Sequence, residues 1–330
     1  MIASIEFTNF KVLRSARIEL APFNLLIGPN GSGKTSVLVA LQRLRQFAGR
    51  PPQFAAQAAP ASADSGQLLF RFRAPFAALT AQLVCAPDGA GRSLRIIGGH
   101  EVPARWNELV ARLATVRVVA LEQAALARPS PAGASILLGD DGTNLPAALD
   151  RLQREQPDIF ARLVAEFCRI LPEYRSIGCA TAPDGARRLV AEIVGETRPL
   201  GAEDLSQGTL ALLGLLVLTQ VQPFPSILCL EEIDRGIHPR LLREIRDLLY
   251  RMSEPGEGRP GTQILTTTHS PYLLDLFRDS LEEVIVAQKR GTEATFERLS
   301  DREDLRGAIG DASLGDLWYS GVLGGVPAES

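Results

Sequence analysis

The chain has 330 residues, 45% hydrophobic and 22% charged, which excludes a disordered or fibrous chain and leaves room for one large α/β domain or two lobes around a core. Its formal net charge of −3 excludes nucleic-acid binding through bulk positive charge, so any such contact needs a local patch or a partner. No window reaches the roughly 18 apolar residues of a membrane span, and the N-terminus MIASIEFTNF lacks a secretory pattern, so a cytoplasmic protein with no membrane role is expected.

The opening residues predict strands over 4–7, 16–20 and 24–27, then a glycine-rich turn and an amphipathic helix over 36–47. Residues 50–66, rich in Pro, Ala, Gln and Ser, read as a surface loop. Between 67 and 119 the short alternating runs LLFRFR, LTAQLV, SLRII and VRVVAL predict antiparallel strands. Residues 144–171 have helical spacing, and 189–194 read as a strand. A long apolar helix starts near Leu205 and is stopped by Pro223 and Pro225. Strands are expected at 227–230, 263–267, 284–287 and 295–299, with helices at 240–252 and 272–277. Cys85, Cys168, Cys179 and Cys229 are scattered, with no metal-ligand spacing, and read as buried thiols.

The first chemical motif is Gly28-Pro29-Asn30-Gly31-Ser32-Gly33-Lys34-Thr35, which fits G-x-x-x-x-G-K-[ST] between a strand and a helix. Glycines let the backbone curl until several N–H groups point into one concavity, and the helix start adds its positive end beneath a phosphate. Asn30, Gly31, Ser32, Gly33, Lys34, Thr35 and Ser36 are therefore the expected ATP-binding residues. Lys34 bridges the β- and γ-phosphates in this reading, and the Thr35 hydroxyl ligates Mg²⁺.

The apolar strand Ile227-Leu228-Cys229-Leu230 ends on Glu231-Glu232, two adjacent carboxylates. Glu231 is assigned to the metal shell and Glu232 to the base that takes a proton from the attacking water. One helix and one strand later, Ile264–Thr268 runs into His269-Ser270-Pro271. There His269 is placed to sense the γ-phosphate, ahead of a Ser cap and first-turn Pro.

Leu205-Ser206-Gln207-Gly208-Thr209 opens the long apolar helix, and here the chain resembles the ABC ATPase superfamily, whose signature is L-S-G-G-Q. Ser206 and Gly208 match that pattern; Gln207 and Thr209 depart from it. Ile233-Asp234-Arg235-Gly236-Ile237-His238-Pro239 is similar to the segment following the acids in SMC-, RecF- and OLD-like ATPases. Asn9 to Arg14 is similar to their opening segment, in which a basic residue, here Lys11 or Arg14, approaches the nucleotide. Asp141-Gly142-Thr143-Asn144-Leu145 and the tail from Leu314 to Val326 resemble small bacterial ATPases of anti-phage defence.

The resemblance implies an α/β P-loop head with a mixed or parallel core sheet, an antiparallel β subdomain and a helical insertion. The expected lobes are 1–125, 126–200 and 201–330. It also implies a homodimer, or a higher homo-oligomer, with two Mg-ATP between subunits. Ser206 and Gly208 of one copy would then meet the γ-phosphate held by the other, and Gln123, the Q-loop candidate, would join the metal shell.

The function expected is a conformational switch driven by ATP hydrolysis that controls a separate effector such as a nuclease, with nucleic acid a further possible partner. The alternative is a RecF-like repair ATPase acting directly on DNA. The IHP segment, the paired Glu residues and the weak Q-loop match argue against a transporter subunit. Asp301, Glu303 and Asp304 read as a solvated helix start, and residues 317–327 as a candidate docking tail.

Overall fold

The structure is a computed structural model that describes the chain except residues 59–64, 87–90, 99–101, 257–259, 291–292, 304–311 and 325–330. Asp304 and the end of the 317–327 tail lie outside the described residues. The chain divides into two compact units, one of residues 1–118, 225–232 and 253–330, the other of 119–224 and 233–252.

The first unit contains two six-stranded sheets. Strands β1 (Ile2–Phe10) and β2 (Leu13–Glu19) form a hairpin with a two-residue tip. With β4 (Gln53–Ala55), β5 (Gly66–Phe72), β6 (Thr80–Cys85) and β7 (Gly91–Ile97) they give the order β2-β1-β5-β6-β7-β4. Every described pairing in this sheet is antiparallel except β4 with β7. The alternation in β5, with Leu68, Phe70 and Phe72 inward and Arg71 outward, is the half-buried pattern such a sheet requires.

The other sheet is mixed. It adds β3 (Phe23–Ile27), β8 (Arg117–Val119), β12 (Ile227–Leu230), β13 (Gln263–Thr268), β14 (Val284–Arg290) and β15 (Glu293–Arg298) in the order β15-β14-β3-β13-β12-β8. Strand β3 is parallel to both β13 and β14, and β13 is parallel to β12. All residues of β3, β12 and β13 are buried, as parallel strands covered on both faces must be.

Helix α1 (Lys34–Ala48) turns Val37, Leu38, Leu41 and Leu44 into a core shared with Phe7, Phe10, Phe70 and Leu83. Helix α2 (Val102–Leu113) joins that core through Trp106, Leu109 and Leu113. The sequence reading had treated this stretch as part of the strand region. The 3–4 spacing of those three residues is the helical signal it passed over.

The second unit is built on the three-stranded antiparallel sheet β11-β10-β9, from β9 (Tyr174–Thr181), β10 (Arg187–Ile193) and β11 (Leu200–Gly201). Its helices are α3 (Gln123–Leu126), α4 (Leu145–Glu155), α5 (Pro157–Ile170), α6 (Gln207–Gln220) and α7 (Pro239–Ser253). The helical run expected over 144–171 is two helices, because Pro157 starts a new one at its first turn. Helix α6 is buried from Gly208 to Leu218, consistent with an apolar sequence on every face.

The Asp141–Leu145 segment of this unit forms a hydrogen-bonded loop ahead of α4. Asn144 closes the 139–144 loop, its Oδ1 accepting from the Gly139 N–H at 2.6 Å and its amide donating to the Ser135 and Leu137 carbonyls. Asp141 accepts from the Thr143 N–H and hydroxyl. Gly142 has φ 88°, and a Cβ there would stand 2.5 Å from Leu126. The last helices, α8 (Pro271–Asp275) and α9 (Leu314–Tyr319), return to the first unit, where Gly315 N–H donates to Asp275 at 2.8 Å. No helix among the described residues is long and apolar enough to cross a membrane.

Candidate functional site

Strands β3, β12 and β13 are parallel, so their C-terminal ends share one edge of the mixed sheet. Ile27 is paired with Thr268, and Leu230 with Thr266. Chemistry placed on the loops that follow therefore converges, which is the general rule for ligand sites in open α/β sheets. A cleft of about 180 Å³ opens there, lined by Val12, Asn30, Gly31, Gly33, Lys34, Thr35, Ser36, Glu231, Glu232, Thr267 and His269.

The loop after β3 owes its shape to two glycines in the left-handed region, Gly31 at φ 75° and Gly33 at φ 103°. A Cβ at Gly31 would meet nothing within 4 Å, whereas one at Gly28 would stand 2.4 Å from the Ala287 carbonyl of β14. Gly31 thus answers to backbone conformation and Gly28 to close packing. Gly33 precedes α1, which has no side-chain cap and no acidic residue in its first turn. The free N–H groups of that turn are what an anion needs. Ser32 Oγ is buried and lacks a hydrogen-bond partner, which leaves it available to a ligand.

Lys34 is 7% exposed and donates to the Gly28 and Pro29 carbonyls at 2.7 and 3.1 Å. Burial lowers its ammonium from the ordinary 10.5 to about 8, although Glu232 and Glu231 pull the other way. A group so placed gains from any additional negative charge in the cleft. The Thr35 hydroxyl donates to Glu231 Oε1 at 2.6 Å. That contact joins two residues 196 positions apart and creates an all-oxygen donor set suited to a hard divalent cation.

Glu232 has φ 48°, a left-handed conformation that costs a non-glycine residue about 1–2 kcal/mol. Its backbone N–H donates to Thr267 Oγ1 at 2.9 Å. His269 follows β13, and the turn after it is held by Thr268 Oγ1, which accepts from the Ser270 N–H at 2.9 Å. Ser270 then caps α8.

The structure thus brings Asn30, Gly31, Gly33, Lys34, Thr35, Ser36, Glu231, Glu232 and His269 into one cleft, with Ser32 buried in the same loop. Gln123, Ser206 and Gly208 belong to the second unit. Gln123 is exposed at the first position of the four-residue α3. Ser206 caps α6, accepting from the Thr209 N–H at 3.1 Å. A Cβ at Gly208 would lie 2.9 Å from the Gly236 carbonyl, and one at Gly236 would lie 2.2 Å from Gln207. The signature-like and IDRGIHP segments therefore pack against each other by way of two glycines.

Two cleft residues escaped the sequence reading. Val12, at the hairpin tip between Lys11 and Arg14, lines the cleft and is 40% exposed. Thr267 was read only as strand. Its signal is a run of three hydroxyl side chains in a strand with no exposed residue, since buried hydroxyls need partners.

A family model described as "AAA domain, putative AbiEii toxin, Type IV TA system" matches residues 116–275. Another, described as "AAA ATPase domain", matches residues 1–64. Among solved structures, an SMC head bound to the C-winged helix domain of ScpA superposes with a TM-score of 0.58 at 16% identity, covering 92% of this chain and 99% of that one. The chain has the fold of an SMC head. The Pyrococcus furiosus Smc head with an extended coiled coil gives 0.58 at 14% identity, covering 94% and 99%. The Thermotoga maritima SMC head gives 0.51 at 16% identity, covering 90% and 98%. A search of the curated proteins finds no match. Both family models name an AAA domain and fall on the two stretches that supply the cleft of this SMC-head fold, the phosphate loop in one and the paired acids and His269 in the other.

Proposed function

We propose that this protein binds and hydrolyses Mg-ATP in the cleft of the first unit. The observation that carries this reading is the 2.6 Å contact between Thr35 and Glu231, with Lys34, Glu232 and His269 lining the same cleft. The Gly31–Gly33 turn and the α1 N-terminus receive the β-phosphate, and Lys34 exchanges its carbonyl partners for phosphate oxygens. Thr35 and Glu231 would hold Mg²⁺; the ion supplies neutralisation of phosphate charge. Glu232 accepts the proton of the attacking water, and His269 donates a hydrogen bond to the γ-phosphate.

The same reading makes the active form a dimer, or a higher assembly of dimers, around two ATP. The exposed capping Ser206 and the backbone around Gly208 of one copy complete the site of the other. ATP turnover then acts as a conformational switch, with closure on ATP and reopening after hydrolysis. The family description naming an AbiEii toxin and the absence of bulk positive charge favour control of a separate effector, such as a nuclease in anti-phage defence.

The test measures phosphate release and solution mass for wild type and Glu232→Gln, with and without Mg-ATP. The expected result is turnover reduced at least about 100-fold in the variant, with ATP holding it as a dimer. A variant that hydrolyses ATP like wild type and stays monomeric removes both assignments. Tight, salt-sensitive DNA binding by the protein alone would instead favour a RecF-like repair role.

A further inference from the structure

The geometry points to Thr267 as the residue that positions the Glu232 carboxylate for water activation, an inference that rests on the ATPase reading above. Strand β12 ends at Leu230, and the backbone must leave the sheet while aiming two successive carboxylates into one cleft. It does so by putting Glu232 in the left-handed region at φ 48°. That conformation is disfavoured for a side-chain-bearing residue and persists only where the surroundings hold it.

The holding contact is the hydrogen bond from the Glu232 N–H to Thr267 Oγ1 at 2.9 Å. Thr267 is 1% exposed and lies in the middle strand between β3 and β12, one residue beyond the last β12–β13 pair, Leu230 with Thr266. It cannot drift without moving the strand that also delivers His269. One buried strand therefore supports both chemical groups, with Thr267 fixing the base and Thr268 fixing the turn after His269.

Valine has the shape of threonine but offers no acceptor. In Thr267→Val the Glu232 N–H loses its partner, and the peptide can relax out of the left-handed region. A displacement of about 1 Å at a reacting group costs on the order of 100-fold in rate. Phosphate binding, by contrast, rests on the loop after β3. The signature of positioning is therefore a fall in kcat with KM for Mg-ATP nearly unchanged. The neighbouring Thr266 hydroxyl donates to the Leu230 carbonyl at 3.3 Å and does not line the cleft, so Thr266→Val serves as the control for losing a buried hydroxyl.

The experiment compares steady-state ATPase rates of wild type, Glu232→Gln, Thr267→Val, Thr267→Ser and Thr266→Val, with binding of a fluorescent ATP analogue and thermal melting alongside. Thr267→Val is expected to lose about 10- to 100-fold in kcat with KM within about threefold. Thr267→Ser, which keeps the acceptor, stays within about threefold of wild type, as does Thr266→Val. A Thr267→Val protein with wild-type kcat, while Glu232→Gln is inactive, overturns the positioning role and leaves the ATPase reading standing. If Thr267→Val does not fold, Thr267→Ser decides: a tenfold loss there shows that the hydroxyl is not what matters. Equal rates for wild type and Glu232→Gln overturn the ATPase reading and this inference with it.

Discussion

Lys34 makes nucleotide binding depend on pH in a way that can be worked out from its surroundings. Burial lowers its ammonium to about 8 in the nucleotide-free cleft. A bound triphosphate adds several negative charges within reach of that nitrogen and pulls the protonation equilibrium back up. Below pH 8 the free protein already carries the proton, so affinity is flat. Above pH 8 the free protein is increasingly neutral and binding must take up a proton, so affinity falls as pH rises. Near pH 9.5 only about 3% of free Lys34 is protonated, and the dissociation constant should be about 30-fold weaker than at pH 7.

Fluorescence titration of a non-hydrolysable ATP analogue from pH 7 to 9.5 reads this directly. Calorimetry in two buffers of different ionisation enthalpy counts the proton taken up. Lys34→Met should bind more weakly at every pH and lose the slope. A wild-type affinity constant across the range, with no proton uptake, refutes the coupling between the buried ammonium and the phosphate site.

The two loop glycines separate packing from conformation. Gly28→Ala forces a Cβ to 2.4 Å from the Ala287 carbonyl and 2.7 Å from Ser32 Oγ, an overpacking cost of about 3 kcal/mol and a melting point roughly 6 °C lower. Gly31→Ala, at φ 75° in open space, pays only about 1 kcal/mol of conformational strain and should melt about 2 °C lower; the reverse order would contradict the packing. Ser206→Ala removes the acceptor for the Thr209 N–H, costing about 1 kcal/mol of stability. On the dimer reading it should also abolish ATP-driven association without weakening ATP binding to the monomer, which sedimentation and titration together can check.

Much of the site was legible because its chemistry is local. A phosphate loop needs glycines, a lysine and a hydroxyl at fixed separations, and Gly28 to Thr35 supply them. The paired acids and His269 were recognisable because polar groups ending buried apolar strands have no structural reason to be there. Short apolar runs likewise marked β3 and β12, Phe23–Ile27 and Ile227–Leu230, as buried strands. Spacing gave α1 and α6 to within a few residues, 36–47 against Lys34–Ala48 and a start near Leu205 against Gln207.

Other features depend on contacts that no local window contains. Glu232 and Thr267 are 35 positions apart and Thr35 and Glu231 are 196 apart, so their bonds exist only once β3, β12 and β13 lie side by side. Val12 comes to the cleft through a hairpin whose tip reads as a basic turn. Gly208 reads as a signature residue and Gly236 as part of a turn, and only the packing of their segments shows that a Cβ at Gly208 would stand 2.9 Å from the Gly236 carbonyl. Periodicity also left α2 and β9 unrecognised, because short amphipathic runs among strands carry nearly equal signals for both states. The sequence alone thus determined which chemical groups stand at the ends of which elements, since that depends on residue type and spacing. The tertiary structure alone decided which of them meet and what holds them, since hydrogen bonds and steric contacts act over a few ångströms whatever the separation along the chain.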